Sequence, residues 1–148
     1  MIQIVPLTKE LVPQVAAIEA ICFSEPWSEQ AYLEACNKED YLYLVAVDET
    51  GHAVGMCGLI IGLFEAEVMN VAVHPEYRRQ GIGEALVMAL IRQLQQPGSR
   101  NLSLEVRTSN VSARNLYEKL GFIQVGKRPR YYRNPREDAY ILRKEWEI

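Results

Sequence analysis

Val71-Ala72-Val73-His74-Pro75-Glu76-Tyr77-Arg78-Arg79-Gln80-Gly81-Ile82-Gly83 carries the chain from a β-rich run into a long amphipathic helix. The alternation ending at Val73 reads as a strand, His74-Pro75 stops it, and two closely spaced glycines admit a tight turn. Beyond the turn, Ile82, Leu86, Ala89, Leu90 and Leu94 recur at helical spacing within Gly81–Gln96, a face widened by Val87 and Ile91 and closed by Pro97-Gly98. The first turn of a helix leaves N–H groups without partners, and its macrodipole adds partial positive charge. A strand, an arginine-bearing turn and a helix start thus form an anion site suited to a pyrophosphate. On the glycines alone, a plain strand-to-helix loop is the better reading. The turn is not a dinucleotide fingerprint, because Leu86 stands where its third glycine would be, and the chain has no P-loop lysine motif.

Working outward, a short strand around Ile2 and Ile4 precedes a helix over Leu7–Cys22, with Leu11, Val15, Ile18 and Cys22 on one stripe. Pro13 moves the true helix start toward itself. Ser28 is a good N-cap for a second helix running to about Asn37. Strands follow at Tyr41–Val47, Ala53–Gly62 and Glu65–Val73. After the long helix, Asn101–Arg107 alternates with period two, Val111–Leu120 is a helix, and Gly121 caps it. Phe122–Lys127 and Ala139–Arg143 close the chain as strands joined by a polar loop, Arg128–Asp138. The order β, α, α, β, β, β, α, β, α, β, β predicts an α/β (α+β) fold, a mixed and mostly antiparallel sheet flanked by helices.

The 148 residues suit one domain with one core, 1–148, and 49% apolar with 24% charged residues is an ordinary globular mixture. A net charge of −3 argues against a general nucleic-acid binder. Cys22, Cys36 and Cys57 are widely spaced and neither histidine sits near a cysteine in a ligand spacing, so neither a metal site nor a disulfide framework is expected. They read as reduced and mostly buried thiols. The opening residues do not read as a signal peptide, and the apolar run Val54–Phe64 is too short to span a bilayer. A cytoplasmic protein without membrane partners is the expectation, with a monomer as the simplest state.

The stretch from Val71 to Gly83 resembles the acetyl-CoA motif of the GNAT superfamily of N-acetyltransferases: a strand, then Val-x-Pro-x-x-Arg/Gln-x-x-Gly-x-Gly/Ala, then a helix. Five further segments are similar to the ribosomal-protein-alanine N-acetyltransferase subfamily (RimI). These are Glu25-Pro26-Trp27-Ser28, Met69-Asn70-Val71-Ala72-Val73, Leu104-Glu105-Val106-Arg107, Ser109-Asn110, and Leu116-Tyr117-Glu118-Lys119-Leu120-Gly121-Phe122. The pair Ser24-Glu25 departs from the subfamily, which carries an apolar residue beside that proline. The resemblance implies a GNAT fold, acetyl-CoA as co-substrate without a metal, and direct transfer to the N-terminal alanine of a small-subunit ribosomal protein. By position, the strand Val71-Ala72-Val73 would meet the pantetheine arm, chiefly through Val71 and Val73. Arg79, Gln80, Gly81, Ile82, Gly83 and Glu84 would supply the turn amides, and Asn110 would touch the CoA arm. Transfer to a lysine or a small-molecule amine, and a non-catalytic CoA-binding module, stay open.

Acyl transfer from a thioester needs a base for the amine, a donor for the oxyanion and a proton for the departing thiolate. The resemblance gives Glu105 the base role and Tyr117 the proton role. From pattern alone, Glu105 is an ordinary solvated strand carboxylate on the Ser103/Arg107 side, Tyr117 a core tyrosine, and Asn110 a helix N-cap. A glutamate near pKa ~4.3 is a weak base, so burial would have to raise it or a water relay the proton. Glu67 is the rival base, since strand parity puts Glu67, Met69, Val71 and Val73 on one face. Pro26, Trp27, Tyr131 and Tyr132, with the basic run Lys127–Arg136, are candidates for the acceptor groove. Neutralising an α-amine of pKa about 8 at pH 7 costs roughly 1.4 kcal/mol, against roughly 4.6 kcal/mol for a lysine, so one weak carboxylate suits the α-amine better.

Overall fold

The computed structural model describes residues 1–62, 65–94 and 101–146. Its elements in chain order are β1 (Gln3–Pro6), α1 (Val12–Cys22), α2 (Glu29–Cys36), β2 (Tyr41–Val47), β3 (Ala53–Ile61), β4 (Glu65–Val73), α3 (Ile82–Leu94), β5 (Asn101–Arg107), α4 (Val111–Lys119), β6 (Ile123–Tyr132) and β7 (Glu137–Glu145). Single 3-10 turns at Lys9–Leu11 and Pro75–Tyr77 lead into α1 and follow β4. The element order expected from sequence is the order observed. Pro13 sits in the first turn of α1, where its missing N–H costs nothing. Ser28 caps α2 by accepting from Ala31 N at 3.1 Å. The expected helix end at Gln96 and its Pro97-Gly98 stop lie outside the described residues.

Seven strands form one sheet in the order β1-β2-β3-β4-β5-β7-β6. Every pairing is antiparallel except β4 with β5, which α3 connects as a parallel crossover. Helices cover both faces. On one, α3 and α4 bury Leu86, Leu90 and Tyr117 against Leu59, Leu102 and Leu104. On the other, α1 and α2 bury Val12, Val15 and Tyr32 against Tyr43, Val45 and Met56. The central strand β3 is buried from Ala53 to Leu59 without alternation, because both of its faces are covered.

Three expectations need correction. The polar loop Arg128–Asp138 is instead a continued hairpin, with β6 reaching Tyr132 and β7 starting at Glu137. Its register shifts between Arg128 and Tyr132, Arg130 takes a left-handed φ of 55°, and Arg130 N donates to Asp138 Oδ1 at 2.8 Å. The Arg107 guanidinium also covers the Tyr132 ring at 4.3 Å, so polar residues there serve a strand. Of the three unpaired cysteines only Cys57 is buried; Cys22 and Cys36 are half-buried.

The third correction concerns the face of Glu67. Gly58 lies opposite Asn70 and Leu59 opposite Val68, so Met69 is an extra residue in β4, a β-bulge. The bulge shifts side-chain parity by one. Ala66 and Val68 before it, and Val71 and Val73 after it, face the α3 side. Glu67 therefore shares the opposite face with Asn70 and Ala72, rather than with Val71 and Val73.

One glycine fixes the α1/α2 face. A Cβ on Gly58 would overlap the ring of Tyr43. That ring centres an aromatic cluster with Tyr32 at 5.5 Å, Trp27 at 6.0 Å and Tyr41 at 6.4 Å. Gly58→Ala is expected to destabilise the fold by about 1–3 kcal/mol, read as a lowered urea midpoint at unchanged slope.

Candidate active site

β4 and β5 pair over only three residues, Glu65 with Asn101, Ala66 with Leu102 and Glu67 with Ser103. The divergence begins where the Met69 bulge bends β4. Between the parted strands lies a cleft of about 730 Å³ that exposes Val68 to Val71 of β4 along one wall and Leu104 to Arg107 of β5 along the other. His74 N donates to Val54 O at 2.8 Å, which makes Gly55/Val73 and Cys57/Val71 the pairs without ladder bonds of their own. Val71 and Val73 consequently point their N–H and C=O groups away from β3, those of Val71 toward the cleft. Ala72 does the reverse: its backbone faces Met56 and its side chain is buried in the α1/α2 core.

At the end of β4, Arg78 folds back on the strand. Its Nε donates to Val73 O at 3.1 Å, and its terminal nitrogen lies 3.4 Å from Cys22 Sγ. The turn then places Arg79 at φ 64° and Gly81 at φ 76°, with Gln80 in the ordinary region between them. Alternation of this kind turns successive amides into one anion-holding concavity. The first α3 bond is Ala85 N to Gly81 O, so the amides of Ile82, Gly83 and Glu84 have no acceptor within the helix. No atom lies within 4 Å of where a Cβ on Gly81 would stand, so a ligand can approach the backbone. The Glu84 carboxylate bonds Lys119 on α4 at 3.1 Å, leaving its amide free of its own side chain. A donor with a pyrophosphate and an extended amide-bearing arm fits these groups: unpaired amides in the turn, and the cleft-facing edge at Val71.

The other half of the cleft is acidic and aromatic. Glu105 lies opposite the buried Leu102, Leu104 and Val106, as its alternation implied. Its Oε1 accepts from Arg128 Nε at 3.2 Å. Partial burial, followed by the charge of the neighbouring Glu105, raises the Glu67 pKa, against the opposing pull of Arg128. The Tyr131 phenol is raised by burial and by both carboxylates. The structure thus joins Glu67 and Glu105 into one pair.

Tyr117 is 6% exposed, lines the cleft from α4 and meets the Phe122 ring edge-on at 5.4 Å. Burial, more than the nearby Cys57 and Tyr132, pushes its phenol well above the usual range. It is a core tyrosine and a cleft residue at once. Asn110 likewise serves two positions: Oδ1 caps α4 by accepting from Ala113 N at 3.1 Å, and the residue borders the cleft. Glu137 secures the preceding turn, accepting from Ser109 N at 2.6 Å and Thr108 Oγ1 at 3.1 Å; the Ser109 side chain first, then its amide, Arg107 and Thr108, hold the Glu137 pKa down at about 2.

Pro135, Asn134 and Tyr132 of the hairpin face Phe23, Glu25 and Trp27 across the cleft, and Asn134 Nδ2 reaches Glu25 Oε1 at 3.4 Å. Behind Trp27 stands Glu19, a cleft residue the sequence stripe on α1 passed over. The signal was present: Glu19 falls four residues after Val15, inside the buried face of an otherwise apolar helix.

The sequence profile of the Acetyltransferase (GNAT) family matches residues 12–122. The chain belongs to this family. It is 38% identical over 133 residues to the ribosomal protein bS18-alanine N-acetyltransferase of Escherichia coli strain K12, covering 88% of each chain. The Escherichia coli ribosomal-protein-S18-alanine N-acetyltransferase crystal structure superposes with a TM-score of 0.90 at 36% identity, over 100% of this chain and 96% of that one. Ard1 from Thermoplasma volcanium superposes with a TM-score of 0.88 at 25% identity, over 99% of both chains. This GNAT chain is an acetyltransferase with the family's mixed sheet. Gly81→Ala adds a side chain at a left-handed φ, a conformation costing about 1–2 kcal/mol for an L-residue. The free turn relaxes out of that conformation and binding must restore it, so acetyl-CoA affinity is expected to fall about fivefold to thirtyfold by calorimetry.

Proposed function

We propose that this chain transfers the acetyl group of acetyl-CoA to the N-terminal α-amine of an alanine-starting small-subunit ribosomal protein, the bS18 class. The observation that carries the proposal is the parted β4–β5 edge, with unpaired amides at one end and the Glu67–Glu105 pair at the other. The likeness in sequence and in structure to the Escherichia coli bS18-alanine N-acetyltransferase supports the acceptor. Residues 1–148 act as one acetyltransferase domain, a cytoplasmic monomer.

The roles follow from what each side chain can do. The turn amides of Arg79 to Glu84 hold the pyrophosphate, and the Val71 edge, with the rim at Asn110, aligns the arm. Acetyl-CoA supplies an activated carbonyl and a thiolate leaving group. Glu105 accepts the proton of the incoming ammonium. Glu67 stands beside it as a second carboxyl, and partial burial followed by the Glu105 charge makes it hold its own proton more tightly than a free glutamate. Arg128 fixes Glu105 from the hairpin side. Tyr117, kept protonated by burial, gives its proton to the departing sulfur.

Mass spectrometry of an alanine-starting bS18 peptide incubated with acetyl-CoA is expected to show one acetyl group on the α-amine. Acetylation of an internal lysine or a small amine instead would overturn the acceptor. Tyr117→Phe is expected to lower kcat about a hundredfold with acetyl-CoA affinity unchanged. Equal loss of both would make Tyr117 purely structural. Glu105→Gln is expected to lower kcat to a similar degree, and a turnover within twofold of the native protein's would remove it from the base role.

A further inference from the structure

Glu19 is the one charged residue buried within the core among the described residues, at 3% exposure. Among the described residues it forms no ion pair; the Arg78 guanidinium stops at Cys22 Sγ, 3.4 Å away. Its neighbours are Cys22 on α1, Glu25 and Trp27 in the turn after α1, Tyr32 on α2, Tyr43 on β2 and Asn70 on β4. The carboxylate bridges two separate elements. Oε1 accepts from the Trp27 backbone N–H at 3.0 Å, and Oε2 accepts from Asn70 Nδ2 at 3.2 Å. The same Asn70 amide donates to Tyr32 Oη at 2.8 Å, while Asn70 Oδ1 is buried without a partner. Asn70 directly follows the Met69 bulge, so Glu19 grips β4 at the place where it leaves β5. Glu19, Trp27 and Asn70 all line the cleft on the face that carries Glu105.

We infer that Glu19 is a positioning residue whose ionised carboxylate clamps the α1–α2 turn onto the β4 bulge, holding the acceptor-side wall in its amine-binding shape. The inference rests on the proposed function in one respect, that the acceptor occupies this end of the cleft. Hydrogen bonds to a carboxylate are roughly twice as strong as neutral ones. The clamp is therefore tight when Glu19 is charged and loose when it is not. Burial, outweighing the bonds from Trp27 and Asn70, pushes its pKa up to about 7. Tyr43 stays neutral through this range, since burial and Glu19 itself raise it. The wall should then loosen as pH falls through neutrality.

Glu19→Gln mimics the protonated acid at constant size. The ratio of acceptor KM in the variant to that in the native protein is expected to be about fivefold at pH 8 and about one at pH 6, with kcat within about twofold throughout. Taking a ratio cancels ionisation of the peptide amine. A ratio that is equal at both pH values would overturn the clamp and leave Glu19 a packing residue. Independently, the Trp27 backbone amide resonance of the native protein is expected to titrate with a midpoint near neutrality. A flat Trp27 resonance would overturn the clamp even if Glu19→Gln fails to fold. If the native protein leaves the peptide unmodified, the proposed acceptor falls, and the Trp27 titration alone decides the clamp.

Discussion

Insertion of Met69 into β4 costs a rung of the β3 ladder, and the rest of the site depends on it. A regular β4 would twist with its neighbours and offer β5 a continuous partner. Instead the parallel pairing stops after Glu67–Ser103, and the backbone of Val71 is left facing a gap. The gap persists because both strands are held from behind. Leu86 and Leu90 of α3 and Tyr117 of α4 pack with Leu102 and Leu104 beneath it, and Met56, Val15 and Tyr32 pack on the opposite face. Packing on two faces keeps the strands parted without a covalent strut.

Electrostatics divides the gap lengthwise. At the turn, oriented amides and a helix start favour an anion. At the opposite end, Glu19, Glu67 and Glu105 gather carboxyl groups, and only Arg128 is paired with one of them. Burial makes Glu19 hold its proton more tightly, and partial burial with the neighbouring Glu105 charge does the same for Glu67. A cationic amine is the natural guest at such an end.

The sequence was most informative where local chemistry decides structure. The strand Asn101–Arg107, the Ser28 cap and the helix starting after Gly81 are set by neighbours within a few residues, and all are found as read. It was least informative where a partner distant in sequence decides. Nothing in Glu65–Val73 marks Met69 as a bulge, since that requirement comes from β3 and the parted β5, and plain alternation without it puts Glu67 on the face of Val71 and Val73. The Arg128–Asp138 segment looked like a loop because charge stands for solvent in a pattern, yet Glu105, Asp138 and Arg107 supply partners that keep it in the sheet. Ala72 was grouped with Val71 and Val73 by motif, and strand alternation separates them. Glu19 was hidden by its own helix, whose apolar stripe invites the eye to skip the one carboxylate on it.

The backbone edge at Val71 has a second consequence. A strand with unsatisfied N–H and C=O groups on an outer surface is a template for another chain and a route to aggregation. Here that edge is recessed, with β5 as the far wall and the α1–α2 turn and the hairpin meeting through Glu25 and Asn134. A protein keeps such a raw edge safely only by making the opening too narrow for a second sheet, so the same walls that select the guest also protect the molecule from its own kind.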